Sequence, residues 1–184
     1  AQAGVYIVWA KVDDGDRNTI SAFLMDPKAE GITIGRPEDK MGQHASGTVG
    51  LAFDKVFVPE GNLLGVIGQG FPIAMMALDG GRIGIGSQAL GIARGAFASA
   101  RSVLATEKPD QGQQWRVADV ETRLSAARLL VLRAAWLKQH RAPFSQEASI
   151  AKAFCTEGAW WACNQCVEML GDDALHVDHP VQRA

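Results

Sequence analysis

The hydrophobic period of this chain changes once, near Gly68, and that change limits the fold more than any other feature. Before it, apolar and β-branched residues come in short runs broken by turn residues. "VYIVWAKV" (Val5–Val12) runs into the cluster "DDGDRN", and Ile20–Met25, Ile32–Ile34, Thr48–Phe53 and Lys55–Pro59 follow at short intervals. These are meander or barrel strands, too close together for βαβ units. After Gly68 the pattern is helical. No Pro interrupts Ile73 to Glu107. From Gln113 to His140, apolar residues recur at Val117, Val120, Leu124, Ala127, Leu130, Val131 and Ala134, the spacing of a helix face. A third segment opens at Ser145, suited to an N-cap, with Glu147 in its first turn, and stops at Gly171, suited to C′. The expected fold is α+β. Antiparallel strands of a partial middle β-domain, of β-barrel type, occupy 1–66, and an antiparallel helical bundle occupies 67–184.

Composition narrows the class. A chain of 184 residues, 47% hydrophobic and 21% charged, builds one or two ordinary globular domains. A formal net charge of −2 gives no electrostatic case for nucleic acid. No apolar run reaches the length of about 18 residues that a membrane span needs. The opening "AQAGVYIVWAKVDD" has no basic stretch of a signal peptide. Three cysteines, Cys155, Cys163 and Cys166, are an odd and sparse set that fits a reducing compartment.

Several local patterns carry chemistry only weakly. "CNQC" (Cys163–Cys166) with His176 and His179 has the wrong histidine spacing for zinc, and core cysteines are expected instead. Trp160 and Trp161 read as bundle core or interface, and His44 as a loop residue before a strand. The stretch Met75–Gly91 is more pointed. It holds Gly80, Gly81, Gly84, Gly86 and Gly91 inside a helical pattern, each costing about 1 kcal/mol relative to Ala. Either these glycines let helices approach closely, or they leave room for a ligand beside Asp79 and Arg82. On composition alone, close packing is the simpler reading, and Asp79 with Arg82 is an i,i+3 surface pair.

The segment "EDKMGQHASGTVGLAFDKVFVPEGNLLGVIGQGFPIAMMALDGGRIGIGSQALGIARGAFASAR", with "ASIAKAF" and "HPVQR" later, resembles the acyl-CoA dehydrogenase family, its short-chain-like members above all. The match is collinear over nearly the whole chain. It implies the back of a middle β-domain plus most of a C-terminal four-helix bundle, lacking its end. It implies an FAD flavoprotein of fatty acid metabolism that α,β-dehydrogenates an acyl-CoA thioester. An electron-transfer flavoprotein or similar acceptor, a homo-oligomer joined through the bundle, and a bacterial cytoplasmic or mitochondrial matrix location come with it. Asp79, Gly80, Gly81 and Arg82 match the family's substrate segment. Gln111 matches a flavin-contacting Gln. Glu168, Gly171 and Asp172 fall where the family has Gln-x-x-Gly-Gly against the flavin phosphates.

The departures are as informative. The family's usual Glu base lies in a segment that would follow Ala184, and the alternative base position is occupied by Gly81. The Arg-x-x-Phe-Gly segment that reaches a flavin across a subunit interface has no counterpart after Glu107, and the Trp-Ile-Thr flavin motif would precede Ala1. The 184 residues alone are therefore expected to be inactive. An alternative is a degenerate member without flavin that serves as a structural partner subunit; a helical interaction module without ligand is the third. "RLLVLRAAW" (Arg128–Trp136), apolar nearly all round, places the helix over 113–140 near the expected interface.

Overall fold

The computed structural model describes residues 3–13, 18–176 and 178–183. Two compact units divide the chain, Ala1–Met76 and Ala77–Ala184.

In the first unit, strand β1 (Tyr6–Asp13) pairs antiparallel with β2 (Asn18–Met25), from Tyr6 opposite Met25 to Asp13 opposite Asn18. A second hairpin joins β3 (Ile32–Pro37) to β4 (Val49–Phe53), with a register irregularity between Ile34 and Pro37. A two-residue strand, β5 (Leu63–Leu64), adds to the free edge of β2. All the pairings are antiparallel, as the alternating pattern predicts; the described strands form a three-stranded and a two-stranded sheet and close no barrel. The strand expected over Lys55–Pro59 is absent. Lys55 sits at φ 51°, in the left-handed region that ends an extended run, and the chain passes into a short 3-10 turn at Glu60–Asn62.

The start of α1 (Gly70–Leu104) is docked on β2 within this unit. Ser21 is fully buried, and its Oγ accepts the Gly68 N–H at 2.9 Å. The Trp9 indole donates to the Gly70 carbonyl at 2.9 Å. Gly70 is required here by contact. A Cβ on it would stand 2.7 Å from both the Ile20 carbonyl oxygen and the Ser21 carbonyl carbon, which are backbone atoms and cannot swing aside. Gly70→Ala is expected to destabilise the unit by about 2 kcal/mol. Urea unfolding followed by tryptophan fluorescence, with Trp115, Trp136, Trp160 and Trp161 replaced by Phe so that Trp9 reports, tests this; an unchanged midpoint would show that the backbone shifts at no cost.

In the second unit three long helices run up, down and up. These are α1, α2 (Gln111–Gln139) and α3 (Ser145–Leu170). Arg101 near the end of α1 pairs with Glu121 near the start of α2, and Arg133 late in α2 pairs with Glu147 early in α3. The helix starts are made differently. Asp110 and Gln113 form a reciprocal capping box at α2, satisfying two backbone N–H groups. At α3 the N-cap is Phe144, with no side-chain cap, so Ser145 is the first helical residue and not the cap expected from its type. Gly171 ends α3 at φ 62°, as expected of a glycine there, and a 3-10 turn, Gly171–Leu175, follows.

Alanine builds the seam. Ala93, Ala96 and Ala100 of α1, Ala127 and Ala134 of α2, and Ala151, Ala159 and Ala162 of α3 are buried in one cluster with Leu90, Phe97, Leu104, Val120 and Leu124. Of the five glycines in Met75–Gly91, Gly86 alone lies against another helix backbone, 3.5 Å from Ala151 and Lys152 of α3. Around the Cβ positions of Gly81, Gly84 and Gly91 nothing lies within 4 Å. The close-packing reading of these glycines is thus corrected: the helices approach through alanines, and three of the five glycines face open space. Cys155 and Cys166 are buried in the same cluster, and burial pushes both thiols above their ordinary range, Cys166 to about 12 with help from neighbouring Cys163. Trp160 is largely exposed, while Trp161 is partly buried beneath the Arg123 guanidinium at 4.2 Å.

Candidate functional site

At one end of the bundle, the start of α1, the end of α2 and the start of α3 converge. Asp79 Oδ1 accepts from Arg82 Nη1 one helical turn on, and from Ser145 Oγ of α3 at 3.0 Å. The carboxylate is half-buried and spends its charge on fixing Arg82. The guanidinium keeps further N–H donors for a planar anion or a carbonyl oxygen. Beside it, the missing side chains of Gly80 and Gly81 shape the surface. The place of a Cβ on Gly80 is 2.9 Å from the Lys138 ammonium, whereas Gly81 borders open space. Lys138 has no ion pair among the described residues.

The arrangement therefore offers two cations, Arg82 held by Asp79 and Lys138 without an ion pair among the described residues, over a strip of bare helix backbone. It suits an anionic or thioester-bearing ligand laid along α1. Asp79 is a positioning residue and provides no free base, since both of its partners are donors. The place of Ser145 and Lys138 in this cluster is not evident from the sequence. Ser145 reads as a cap by residue type. Lys138 reads as a last-turn cation favoured by the helix dipole, and nothing in the chain order ties it to Gly80.

The second set of expected residues lies at the other end. Gln111 is the first residue of α2, and Glu168, Gly171 and Asp172 stand at and beyond the end of α3. There Arg116 pairs with Glu168 and donates to Gln165 at 2.9 Å, and Gln113 Nε2 donates to the Met169 carbonyl at 3.1 Å. Along α2, from Lys138 to Gln111, the separation is about 40 Å at the rise of an α-helix. The structure brings each set together but not the two sets with each other.

Residues 68–184 match the family model of the acyl-CoA dehydrogenase C-terminal domain. The chain belongs to the acyl-CoA dehydrogenase family. It is 40% identical over 190 residues to the short-chain specific acyl-CoA dehydrogenase of Clostridium acetobutylicum, covering 98% of this chain and 50% of that protein. It is 40% identical to the mitochondrial short-chain specific enzyme of Mus musculus, covering 99% of this chain and 46% of the relative. The solved butyryl-CoA dehydrogenase of Megasphaera elsdenii superposes with a TM-score of 0.90 at 40% identity, over 98% of this chain and 49% of that one. The chain spans about half the length of these relatives. The expected α+β architecture and the family resemblance both hold.

The end of α3 is acidic. Glu168, Asp172 and Asp173 present three carboxylates, and Arg116 neutralises the first alone among the described residues. Gly171 leaves its backbone open, which suits the approach of a phosphate, but two uncompensated carboxylates beside it repel one. By themselves, the described residues at this end do not fit a flavin pyrophosphate.

Proposed function

We propose that the whole protein is an FAD-linked dehydrogenase of a short acyl-CoA thioester, to which these residues contribute the substrate wall of α1. The observation that carries the reading is the Asp79–Arg82–Ser145 cluster beside Gly80 and Gly81, at the positions matching the family's substrate segment. Arg82 holds the ligand, Asp79 and Ser145 fix the guanidinium, and Gly81 leaves room for the acyl-CoA. The α-proton needs a carboxylate base, expected beyond Ala184, because Gly81 cannot supply one. The names of the relatives support a short acyl chain, and an electron-transfer flavoprotein or similar acceptor is the partner the family implies. A bacterial cytoplasmic or mitochondrial matrix location follows the same relatives; no helix among the described residues is long and apolar enough to cross a membrane.

The reading includes a homo-oligomer, which the family implies. Asp79 and Arg82 lie at one end of the bundle and Gln111 and Glu168 at the other, so a site that drew on both sets would join two copies. The outward face of α2 supplies a surface for this: Leu129 and Trp136, two helical turns apart, are each more than half exposed.

A degenerate member that has lost flavin and acts as a partner subunit is the second reading, favoured by the carboxylates around Gly171. Butyryl-CoA titration of the 184-residue chain, with flavin absorbance after incubation with FAD, tests both. Binding weakened about tenfold by Arg82→Ala, with no dye reduction, is the expected result. Robust turnover would overturn the placement of the base, and binding indifferent to Arg82→Ala would overturn the site. A chain that takes up FAD stoichiometrically would remove the second reading.

A further inference from the structure

A groove lies between α1 and α2; on α1 it runs from Ser87 to Arg94, about 8 to 18 Å along the helix from Arg82. Its volume is about 360 Å3, and Leu90, Gly91, Arg94, Arg128, Val131 and Leu132 line it. Charge along it is one-sided. From Gly80 to Leu104, α1 carries Arg82, Arg94 and Arg101 and no carboxylate; from Thr122 to Gln139, α2 carries Arg123, Arg128, Arg133 and Lys138 and none. In a chain of net charge −2 this is a local reversal of sign. Arg82, Arg101 and Arg133 find Asp79, Glu121 and Glu147, and Arg123 covers Trp161. Arg94 and Arg128 have no ion pair or hydrogen bond among the described residues, and they face the same groove.

We propose that this groove binds an amphipathic anion, a carboxylate or phosphate head group on a short alkyl chain. Two guanidiniums can each pair bidentately with two oxygens of either head group. Leu90, Val131 and Leu132 offer the tail an apolar floor. Gly91 has nothing within 4 Å of its Cβ position, so the ligand can lie against bare backbone. A smaller cavity of about 80 Å3, sharing Arg94 with the groove, lies at Phe97, Arg101 and Leu124, where the Glu121 carboxylate ends the cationic strip. The volume is that of a small-ligand site.

Calorimetric titration of the 184-residue chain with sodium octanoate, octyl phosphate and inorganic phosphate tests this. One equivalent of octanoate or octyl phosphate is expected to bind with a Kd of about 1 mM or tighter, the range set by some ten heavy atoms. The preferred head group identifies the source, and inorganic phosphate should bind more weakly than either. The double variant Arg94→Gln with Arg128→Gln is expected to weaken binding at least about tenfold. Gly91→Leu, which fills the groove without touching charge, is expected to weaken it likewise; circular dichroism checks that both variants fold. The proposal is overturned if neither alkyl anion binds up to about ten times that Kd, or if both variants bind as the parent does. It is equally overturned if the arginine variant changes the mass in solution while the parent binds no anion, because a second copy then covers the arginines.

Discussion

Replacing Gly81, Gly84 and Gly91 together by alanine is expected to stabilise the chain by about 2–3 kcal/mol, near the sum of three helix-propensity differences. No atom stands within 4 Å of any of the three Cβ positions, so the new methyl groups meet no clash. None has a positive φ, so alanine adopts the same backbone. The gain arises largely in the unfolded chain, which loses freedom when glycine is removed. A rise in Tm of about 5–10 °C is expected, read by circular dichroism. The same variant should bind butyryl-CoA less well, since a methyl on residue 81 occupies the room beside Arg82. Stabilisation with unimpaired binding would mean that the acyl-CoA does not lie along this face. No stabilisation at all would mean that the glycines are covered in solution.

Phe97→Ala should act in the opposite direction and more strongly. Phe97 is 4% exposed, the largest side chain of α1 in the shared core, among Ala93, Ala100 and Leu124. Its neighbours are largely alanines on straight helices, which have little side chain with which to refill the space. The loss is expected at about 3–5 kcal/mol, a fall in Tm of about 10–15 °C. A loss below about 1 kcal/mol would show that the helices close over the gap. Phe97→Leu keeps most of the volume and should recover more than half of the difference, which separates cavity formation from any special role of the ring under Arg101.

Much of the architecture was legible because it depends on period. The switch near Gly68 separates strands from helices, and Gly171 marks the end of α3 as a left-handed glycine should. The orientation of α1 was not legible. Its buried face is alanine and its open face mixes glycine with Leu78, Ile85 and Ile92, so both sides are similarly apolar and no stripe betrays which is packed. The false strand at Lys55–Pro59 has the same kind of cause. Its composition suits extended chain, but Lys55 takes a backbone conformation that residue type alone does not announce. The candidate site was half legible. Asp79 and Arg82 stand out by motif, whereas Lys138 and Ser145 reach it through tertiary contact across dozens of residues. For "RLLVLRAAW" the sequence is right about apolar character all round, and the structure shows what one chain leaves undone: Val131 and Ala134 are buried while Leu129, Leu132 and Trp136 are not.

The short links between the helices bear on how the chain acquires its shape. α1 and α2 are joined by Ala105–Asp110, and α2 and α3 by residues 140–144, so each helix meets its neighbour across a tight hairpin. The edge pairing of β2 with β5, by contrast, must draw Ala22 to Leu64 across an intervening hairpin. Closing that larger loop costs more chain entropy before any contact rewards it. The bundle, built on local helical hairpins, is therefore expected to form faster than the β2–β5 edge, whose long closure makes it the slower step.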